Sequence, residues 1–215
     1  MKILSFDTCL DKMYVALGED DKILGSKIVE TTKSHYHSAF LISTIANILK
    51  ENGLAPQDLD VIATNIGPGS FTGIRACTTV ARVMAQACET KTVGVSSLEI
   101  LSKINPSDKP TLVALDARKN MVYVSIFKNG EQIFSPQSIL LEDLKEMIEK
   151  EEYFIVTDNM LKSVIGGISY QECQDDLGAF LVQIAKNKIE QGCESDWRKL
   201  HPLYIQPAAV NIKKA

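Results

Sequence analysis

The sequence lacks any run of about 18 apolar residues, the length that a helix needs to cross a membrane. Its first residues, MKILSFDT, also lack an apolar stretch followed by a small-residue cleavage site, the pattern of a secretory signal. These two absences predict a cytoplasmic protein without a membrane span.

Paired cysteines and an excess of basic charge are missing as well. No Cys-x-x-Cys pair occurs, which argues against a disulfide framework and a zinc knuckle. Lysine and arginine total 23 against 27 aspartates and glutamates, so the formal net charge is −4. This balance argues against a protein that holds nucleic acid by charge alone. The cysteines are Cys9, Cys77, Cys88, Cys173 and Cys193.

The residues that are present fit a folded chain of one large domain or two small lobes, with 45% hydrophobic and 23% charged residues. In the first half, alternation and turn residues predict strands over 2–6, 12–18, 22–29, 61–65 and 92–95. Helical spacing predicts helices over 34–50 and from Ser70 to about Cys88, and Ser96 is the predicted cap of a third.

The second half repeats the pattern of the first. Moving the sequence by 109 positions places Asp7 on Asp116, Tyr14 on Tyr123 and Val15 on Val124. The order of strands and turns is the same in both places, which predicts a duplication into two lobes of mixed α/β structure. Further on, we expect a helix over 141–152, a strand over 154–157, a helix over 175–191 and an extended tail.

The segment from Gly67 to Arg75, GPGSFTGIR, is the sharpest candidate for a ligand site. Gly67 and Gly69 let the backbone approach a ligand, and Ser70 begins a helix whose N-terminus carries partial positive charge. A phosphate or carboxylate could bind there, beside Arg75. The alternative is a tight connection in which the glycines serve packing alone. No Gly-Lys-Ser/Thr follows, so the segment is not a P-loop.

Two strand-end carboxylates, Asp7 and Asp116, could hold a hydrated metal or orient a phosphate, or each could only form a local turn. His35 and His37 are two residues apart, a spacing that points their side chains to different faces of a helix, so we expect no metal pair there. Together with His201 they form no Ser-His-Asp or Cys-His arrangement. The sequence predicts no metal site and no catalytic residue.

The second predicted helix is apolar on nearly all sides, because only Arg82 is charged between Ala76 and Cys88. Such a helix is buried on more than one side. The first helix carries further apolar and aromatic residues outside its main stripe. The two helices therefore suggest a surface that packs against another chain, and the alternative is that the second lobe covers it.

These motifs resemble the TsaB (YeaZ) family, the non-catalytic partner subunit of the bacterial tRNA threonylcarbamoyladenosine machinery. The matching segments are ILSFDT with MYVAL, GPGSFTGIR, VGVSSLEIL and LDARKNMVY, and they span residues 2–124. The resemblance implies an actin-like, ribonuclease-H-like fold of two lobes, here 1–104 and 105–215, and it leaves open whether the last helix and tail pack back on the first lobe. One departure lies near the end, where Gln206 stands in place of the usual arginine.

The resemblance also implies partners and an absence of catalysis. The catalytic paralogue TsaD carries a His-x-x-x-His metal motif after a Val-Gly-Val strand. Here Ser97 and Leu101 fall on the two ligand positions, which implies no metal and no cofactor. The chain would bind TsaD, support the ATPase-like TsaE, form a homodimer when alone and touch tRNA at most indirectly. The alternatives are a glycoprotease-like metallopeptidase and an ATP-dependent kinase-like enzyme of the same fold.

Two sets of site residues follow from this interpretation. The candidate remnants of a nucleotide or phosphate site are Asp7, Gly67, Gly69, Ser70, Arg75 and Asp116. The candidate partner interface consists of Tyr36, His37, Phe40, Leu41, Thr44, Gly73, Cys77, Val80, Ala81 and Met84.

Overall fold

The chain folds into two lobes with the same succession of strands and helices. The computed structural model describes residues 1–30 and 37–205, and the side chains of His37 and Ser38 are outside this description. The first lobe contains β1 Lys2–Asp7, β2 Met13–Glu19, β3 Lys22–Val29, α1 Leu41–Glu51, β4 Val61–Asn65, α2 Phe71–Cys88, β5 Lys91–Val95 and α3 Ser97–Leu101.

The second lobe contains β6 Thr111–Asp116, β7 Met121–Lys128, β8 Glu131–Leu140, α4 Leu141–Lys150, β9 Phe154–Thr157, α5 Asn159–Ile165, β10 Ile168–Ser169 and α6 Leu177–Glu190. Short 3-10 helices span His37–Phe40, Pro56–Asp58, Ser102–Ile104, Tyr170–Glu172 and Trp197–Lys199. Among the helices of these described segments, none combines the length and the apolar character that crossing a bilayer requires.

The two sheets have one topology, which confirms the predicted duplication. Their strand orders are β3-β2-β1-β4-β5 and β8-β7-β6-β9-β10. In each sheet the first three strands form an antiparallel meander and the last two add in parallel. This is the mixed α/β arrangement that the sequence predicts, and it agrees with the actin-like fold that the family resemblance implies.

Side-chain caps fix where several helices begin. Ser70 accepts a hydrogen bond from the Gly73 N–H at 3.3 Å, so α2 begins at the predicted place. Ser96 caps α3 in the same way. Asp176 caps α6, which therefore begins two residues later than the predicted 175.

One helix of each lobe packs on the sheet of the other lobe. Helix α3 packs on β6 and β7 of the second sheet, and α6 packs on β1, β2, β4 and β5 of the first. The Ser5 hydroxyl donates to the Gly178 carbonyl at 2.8 Å, at a point where α6 lies directly on the first sheet. The largest apolar cluster therefore lies between the two sheets. On the outer sides, α1 and α2 cover the first sheet and α4 and α5 cover the second.

The repeat is one residue out of phase between the first strands of the lobes. Leu4 of β1 faces α1 and α2, and Leu112 of β6 faces α4 and α5, so these strands match at a spacing of 108 residues. In β2 and β7, Val15 and Val124 face the outer helices and keep the spacing of 109. The second lobe therefore has one residue more than the first in the turn between its first two strands, β6 and β7.

This shift corrects the pairing of the two strand-end aspartates. A displacement by one residue turns every side chain of a strand to the opposite face. Asp116 therefore corresponds to Thr8, and Asp7 corresponds to Leu115. The gapless alignment of Asp7 with Asp116 is wrong, because it ignores the difference in turn length.

Candidate functional site

The loop after β4 lies tightly against the turn after β1. Its Gly67–Pro68 peptide bond is cis, and Gly67 has a φ of +101°. The Ser70 N–H donates to the Cys9 carbonyl at 2.7 Å. A Cβ at Gly69 would lie 2.4 Å from that same oxygen. The glycines therefore let the backbone of this loop contact the backbone of the turn after β1. This favours the alternative in which the glycines serve packing.

The start of α2 continues this close contact. The Thr8 hydroxyl donates to the Gly73 carbonyl at 2.9 Å, and the Thr8 N–H donates to the Cys77 sulfur at 3.2 Å. A Cβ at Gly73 would lie 1.9 Å from the Thr8 carbonyl oxygen, which is an impossible contact. Gly73 and Cys77 thus fix α2 to the first sheet.

Asp7 is buried, with 1% of its surface exposed, and it joins three segments of the first lobe. Its carboxylate accepts the Cys9 N–H at 2.6 Å and the Asn65 side-chain amide at 2.9 Å. The Asn65 oxygen in turn accepts the Gly67 N–H at 2.8 Å and lies 3.0 Å from the Ser97 hydroxyl. This network connects β1, β4, the glycine loop and α3.

The charge on Asp7 is costly in this position. Burial raises the pKa of its carboxyl from 3.8 to about 6, although the hydrogen bonds from Asn65 and Cys9 lower it. Burial also raises the pKa of the Cys9 thiol. The potential ligand atoms of Asp7, Cys9 and Cys77 lie within 4.8 Å of one another. Both Asp7 oxygens already accept N–H groups, and burial favours the protonated thiol of Cys9, so the cluster is suited to packing.

A cleft of about 740 Å³ separates this loop from the second lobe. Ser70 and Phe71 line one side, and Asp116, Arg118 and Asp158 line the other. The carboxylates already accept backbone N–H groups. Asp158 accepts those of Asp116 at 2.7 Å and Leu161 at 2.8 Å, and Asp116 accepts that of Arg118 at 3.1 Å.

The candidate phosphate residues therefore separate into two groups. Gly69, Ser70 and Asp116 border the cleft, whereas Asp7 and Gly67 lie in the packed interior of the first lobe. Arg75 does not line the cleft, and its guanidinium carbon lies over the Phe71 ring, 3.9 Å from the ring centre.

The candidate interface residues also separate by burial. Four of them are buried within the chain itself and hold α1 and α2 on the first sheet, namely Leu41, Gly73, Cys77 and Ala81. Thr44, Val80 and Met84 are partly exposed, and Phe40 is 45% exposed. Tyr36, the side chain of His37 and Gln206 lie outside the described residues.

Two exposed apolar side chains on these helices are absent from the sequence-based set. Ile42 on α1 is 68% exposed and Val83 on α2 is 60% exposed. Helical spacing offers a signal for Val83, which lies opposite the buried stripe of α2. Ile42 borders the buried stripe of α1, so only the structure shows that it is exposed. They enlarge the apolar outward side of α1 and α2.

The two positions matched to the metal motif of the catalytic relatives lie at the start and the end of α3. Ser97 and Leu101 are both fully buried. The Ser97 hydroxyl lies 2.6 Å from the Pro68 carbonyl oxygen, so it supports the glycine loop. Leu101 offers no ligand atom and packs in the core between the sheets.

Comparisons with known proteins agree with this architecture. The family model described as "TsaD: tRNA N6-adenosine threonylcarbamoyltransferase" matches residues 23–155. The tRNA threonylcarbamoyladenosine biosynthesis protein TsaB of Bacillus subtilis (strain 168) is 33% identical over 158 residues, which cover 71% of this chain and 68% of the relative. Its namesake in Escherichia coli (strain K12) is 29% identical over 141 residues, or 61% of this chain and 57% of the relative.

A solved structure extends the likeness to nearly the whole chain. A Pseudomonas aeruginosa protein, described as having similarity to peptidase YEAZ, matches with a TM-score of 0.79 and 22% identity. The match covers 95% of this chain and 99% of that one. At this identity the likeness establishes the shared fold.

Proposed function

The chain belongs to the TsaB (YeaZ) family, and on this premise we propose that it is the non-catalytic scaffold subunit in the biosynthesis of threonylcarbamoyladenosine at position 37 of tRNA. In this proposal it binds the catalytic paralogue TsaD, supports the ATPase-like TsaE and forms a homodimer when alone. A cytoplasmic location is part of the same proposal.

The observation that carries the proposal is the apolar outward side of α1 and α2. Both helices cover the same face of the first sheet with their buried stripes. Ile42 on α1, Val83 on α2 and Phe40 just before α1 are nevertheless 68%, 60% and 45% exposed. Large apolar side chains at the solvent side of neighbouring helices favour a helical partner surface.

The arrangement around Ser97 supports a role without catalysis. A zinc site of the His-x-x-x-His type needs two ligand atoms on one side of a helix. In this chain the matched positions are a serine that braces the glycine loop and a leucine in the core. The chemistry, transfer of the threonylcarbamoyl group to the adenosine amine, would take place on the partner.

A transfer assay tests the proposal. It combines the catalytic paralogue and the ATPase-like subunit of the same organism with tRNA and threonylcarbamoyl-AMP, with and without this chain. We expect modification only when the chain is present, and none from the chain alone. Equal modification without the chain would overturn the proposal.

Substitutions at the surface make the test specific. We expect Ile42→Glu and Val83→Glu to abolish binding of the catalytic paralogue, because a charge cannot be buried unpaired at an apolar contact. Val164→Glu is the matched control, since Val164 is 46% exposed on α5 of the second lobe. If the control variant loses the partner as well, or the two α1 and α2 variants keep it, the outward side of α1 and α2 is not the interface.

A further inference from the structure

Three of the four arginines of this acidic chain lie on one surface. The chain's arginines are Arg75, Arg82, Arg118 and Arg198. Arg75 and Arg82 belong to α2, and Arg198 lies in the 3-10 helix Trp197–Lys199, which packs against α2. Arginine, unlike lysine, combines a planar charged group with the ability to stack on rings. Such a concentration sets this surface apart from the rest of the molecule.

Each of the three guanidinium groups lies near an aromatic ring. Arg75 lies over Phe71 at 3.9 Å from the ring centre. Arg82 and Arg198 lie 5.9 and 5.5 Å from the ring centre of Trp197, the single tryptophan of the chain. These rings attract and orient the cationic groups without neutralising their charge.

Few carboxylates neutralise these arginines. Within the described residues, Arg75 and Arg82 form no ion pair, and Arg198 has one at 3.6 Å from Asp196. Arg82 and Arg198 both lie within 5.9 Å of the centre of the Trp197 ring, so two positive charges are held in one region of the surface and attract an anion. The surface is therefore suited to a phosphate group.

Exposed rings at one end of this surface offer a second kind of contact. Phe71 is 45% exposed and Tyr204 is 46% exposed, and their ring centres lie 5.7 Å apart. The Tyr204 hydroxyl also lies 3.4 Å from the Nε of Arg75. Unpaired nucleobases stack on such rings, whereas the bases of a duplex are already stacked on each other.

The size and charge of the surface favour a short single strand. Phe71 and Arg82 are eleven residues apart on α2, or about 16 Å at the helical rise of 1.5 Å per residue. Beside Trp197 lies a groove of about 550 Å³ in which Glu89 and Asp196 accompany Lys91 and Arg198. The acidic residues oppose a ligand bound by charge alone, so stacking must contribute.

We propose that this surface, the arginine face (Phe71, Arg75, Arg82, Trp197, Arg198 and Tyr204), binds a single-stranded segment of RNA. Phosphates contact the guanidinium groups and bases stack on the exposed rings. The inference rests on the proposed function in one respect, that the RNA in the cell is the tRNA to be modified. It replaces the indirect contact with tRNA that the family resemblance implies by a direct one. It uses a side of α2 different from that of Val83, so RNA and a protein partner can be bound together.

The first test measures the binding of a fluorescently labelled, unmodified tRNA transcript to the full chain by anisotropy over a range of salt concentrations. We expect Arg82→Ala/Arg198→Ala to weaken binding about tenfold and to reduce the salt slope by about 1.4, the share of two phosphate contacts on a single strand. Lys22→Ala/Lys145→Ala removes the same charge from exposed lysines elsewhere and should leave both quantities unchanged.

Trp197 supplies a second measurement without any label, because it is the only tryptophan. We expect tRNA to change its emission in the wild-type chain and a single-stranded oligonucleotide to do the same, while a blunt duplex does not. Unchanged emission and anisotropy would overturn the inference, as would equal binding by the arginine and lysine variants.

The experiments can overturn the RNA inference and the proposed scaffold function independently of each other. If the arginine variant loses the catalytic paralogue but the wild-type chain binds no RNA, the arginine face is a protein contact and the RNA inference is wrong. If modification depends on the chain and RNA binding is absent, the scaffold function stands without this inference. RNA binding by a chain on which modification does not depend would leave the inference standing and overturn the scaffold function.

Discussion

The two lobes have sheets of the same topology and differ in the helices that pack on them. The strand orders are the same, yet α2 has 18 residues and its counterpart α5 has seven. Helix α2 fits the first sheet through Gly73 and carries exposed apolar and arginine side chains outward. The duplication thus kept the hydrogen-bonded framework, while the surface helices diverged. We therefore expect binding activity on the first lobe.

The equivalent strand ends show the same divergence in detail. Thr64 pairs with Phe6 across the first sheet, as Thr157 pairs with Ala114 across the second, so Asn65 and Asp158 are counterparts. Asn65 is buried and links Asp7 to the glycine loop. Asp158 caps α5 at the edge of the cleft. The same position therefore holds a buried hydrogen-bonded residue in the first lobe and a helix cap in the second.

The strongest test of the comparison is Gly73→Ala in the close contact of α2. We expect a loss of more than about 4 kcal/mol in the free energy of unfolding, because the new methyl group would meet the Thr8 carbonyl oxygen at 1.9 Å. Urea unfolding measures the loss. Thr72→Ala is the control, because Thr72 is the exposed residue just before Gly73. It should change stability by less than about 0.5 kcal/mol. Similar stability of both variants would contradict the close packing.

The second test is the pH dependence of Asp7. Because its pKa is raised from 3.8 to about 6 in the folded chain, the folded state retains this proton where the unfolded state has lost it. Stability should therefore fall by about 3 kcal/mol as the pH rises from about 4 to about 6, and then level off. Urea unfolding across this range measures it.

Two variants isolate the Asp7 contribution from other titrating groups. Asp7→Asn should lose the part of the slope that corresponds to one proton, whatever its absolute stability. Thr72→Ala, which removes no ionisable group, should retain the wild-type slope. If Asp7→Asn keeps the full slope, Asp7 is not the buried group that titrates.

A smaller effect separates the paired threonines. The Thr64 hydroxyl donates to the Phe6 carbonyl at 3.1 Å, whereas the buried Thr157 hydroxyl has no hydrogen-bond partner among the described residues. We expect Thr64→Val to destabilise the chain by about 1 kcal/mol. Thr157→Val should be neutral or stabilising by up to about 1 kcal/mol. Thermal or urea unfolding measures both changes. Equal losses of stability would contradict the difference in hydrogen bonding between Thr64 and Thr157.

The smallest effect on stability concerns the exposed apolar side chains of both lobes. Val83→Lys on α2 and Val164→Lys on α5 replace residues that are 60% and 46% exposed, so each should change stability by less than about 0.5 kcal/mol. Sedimentation measures their association. For the homodimer proposed above, we expect only Val83→Lys to shift the chain from dimer to monomer. An equal shift by both variants would contradict the difference between the lobes.

Helical and strand periodicity predicted most of the fold, including the duplication. The spacing of Leu41, Ile45 and Ile48 predicts α1, and the last helix is predicted within two residues of its observed start. The sequence does not reveal α5 or β10, because elements of seven and two residues are too short for a period to stand out. The one-residue shift between the lobes is also hidden, since a turn tolerates an insertion that a strand register does not.

The candidate site was predicted less completely. Periodicity identifies the apolar positions of α2 but does not tell which side meets the sheet. Cys77 and Ala81 face inward, and Val83 faces outward. The same holds for Asp7, whose position at a strand end is readable from the sequence and whose burial under the glycine loop is not.

The sequence by itself determined the order of strands and helices, the start of α2 at Ser70 and the division into two similar halves. These features depend on interactions within a few residues, such as caps and alternation. Only the tertiary structure decided that Asp7 is buried and that Arg75 meets Tyr204, 129 residues away in the chain. The physical reason is that contacts between distant segments depend on how whole elements pack, and no local pattern records that packing.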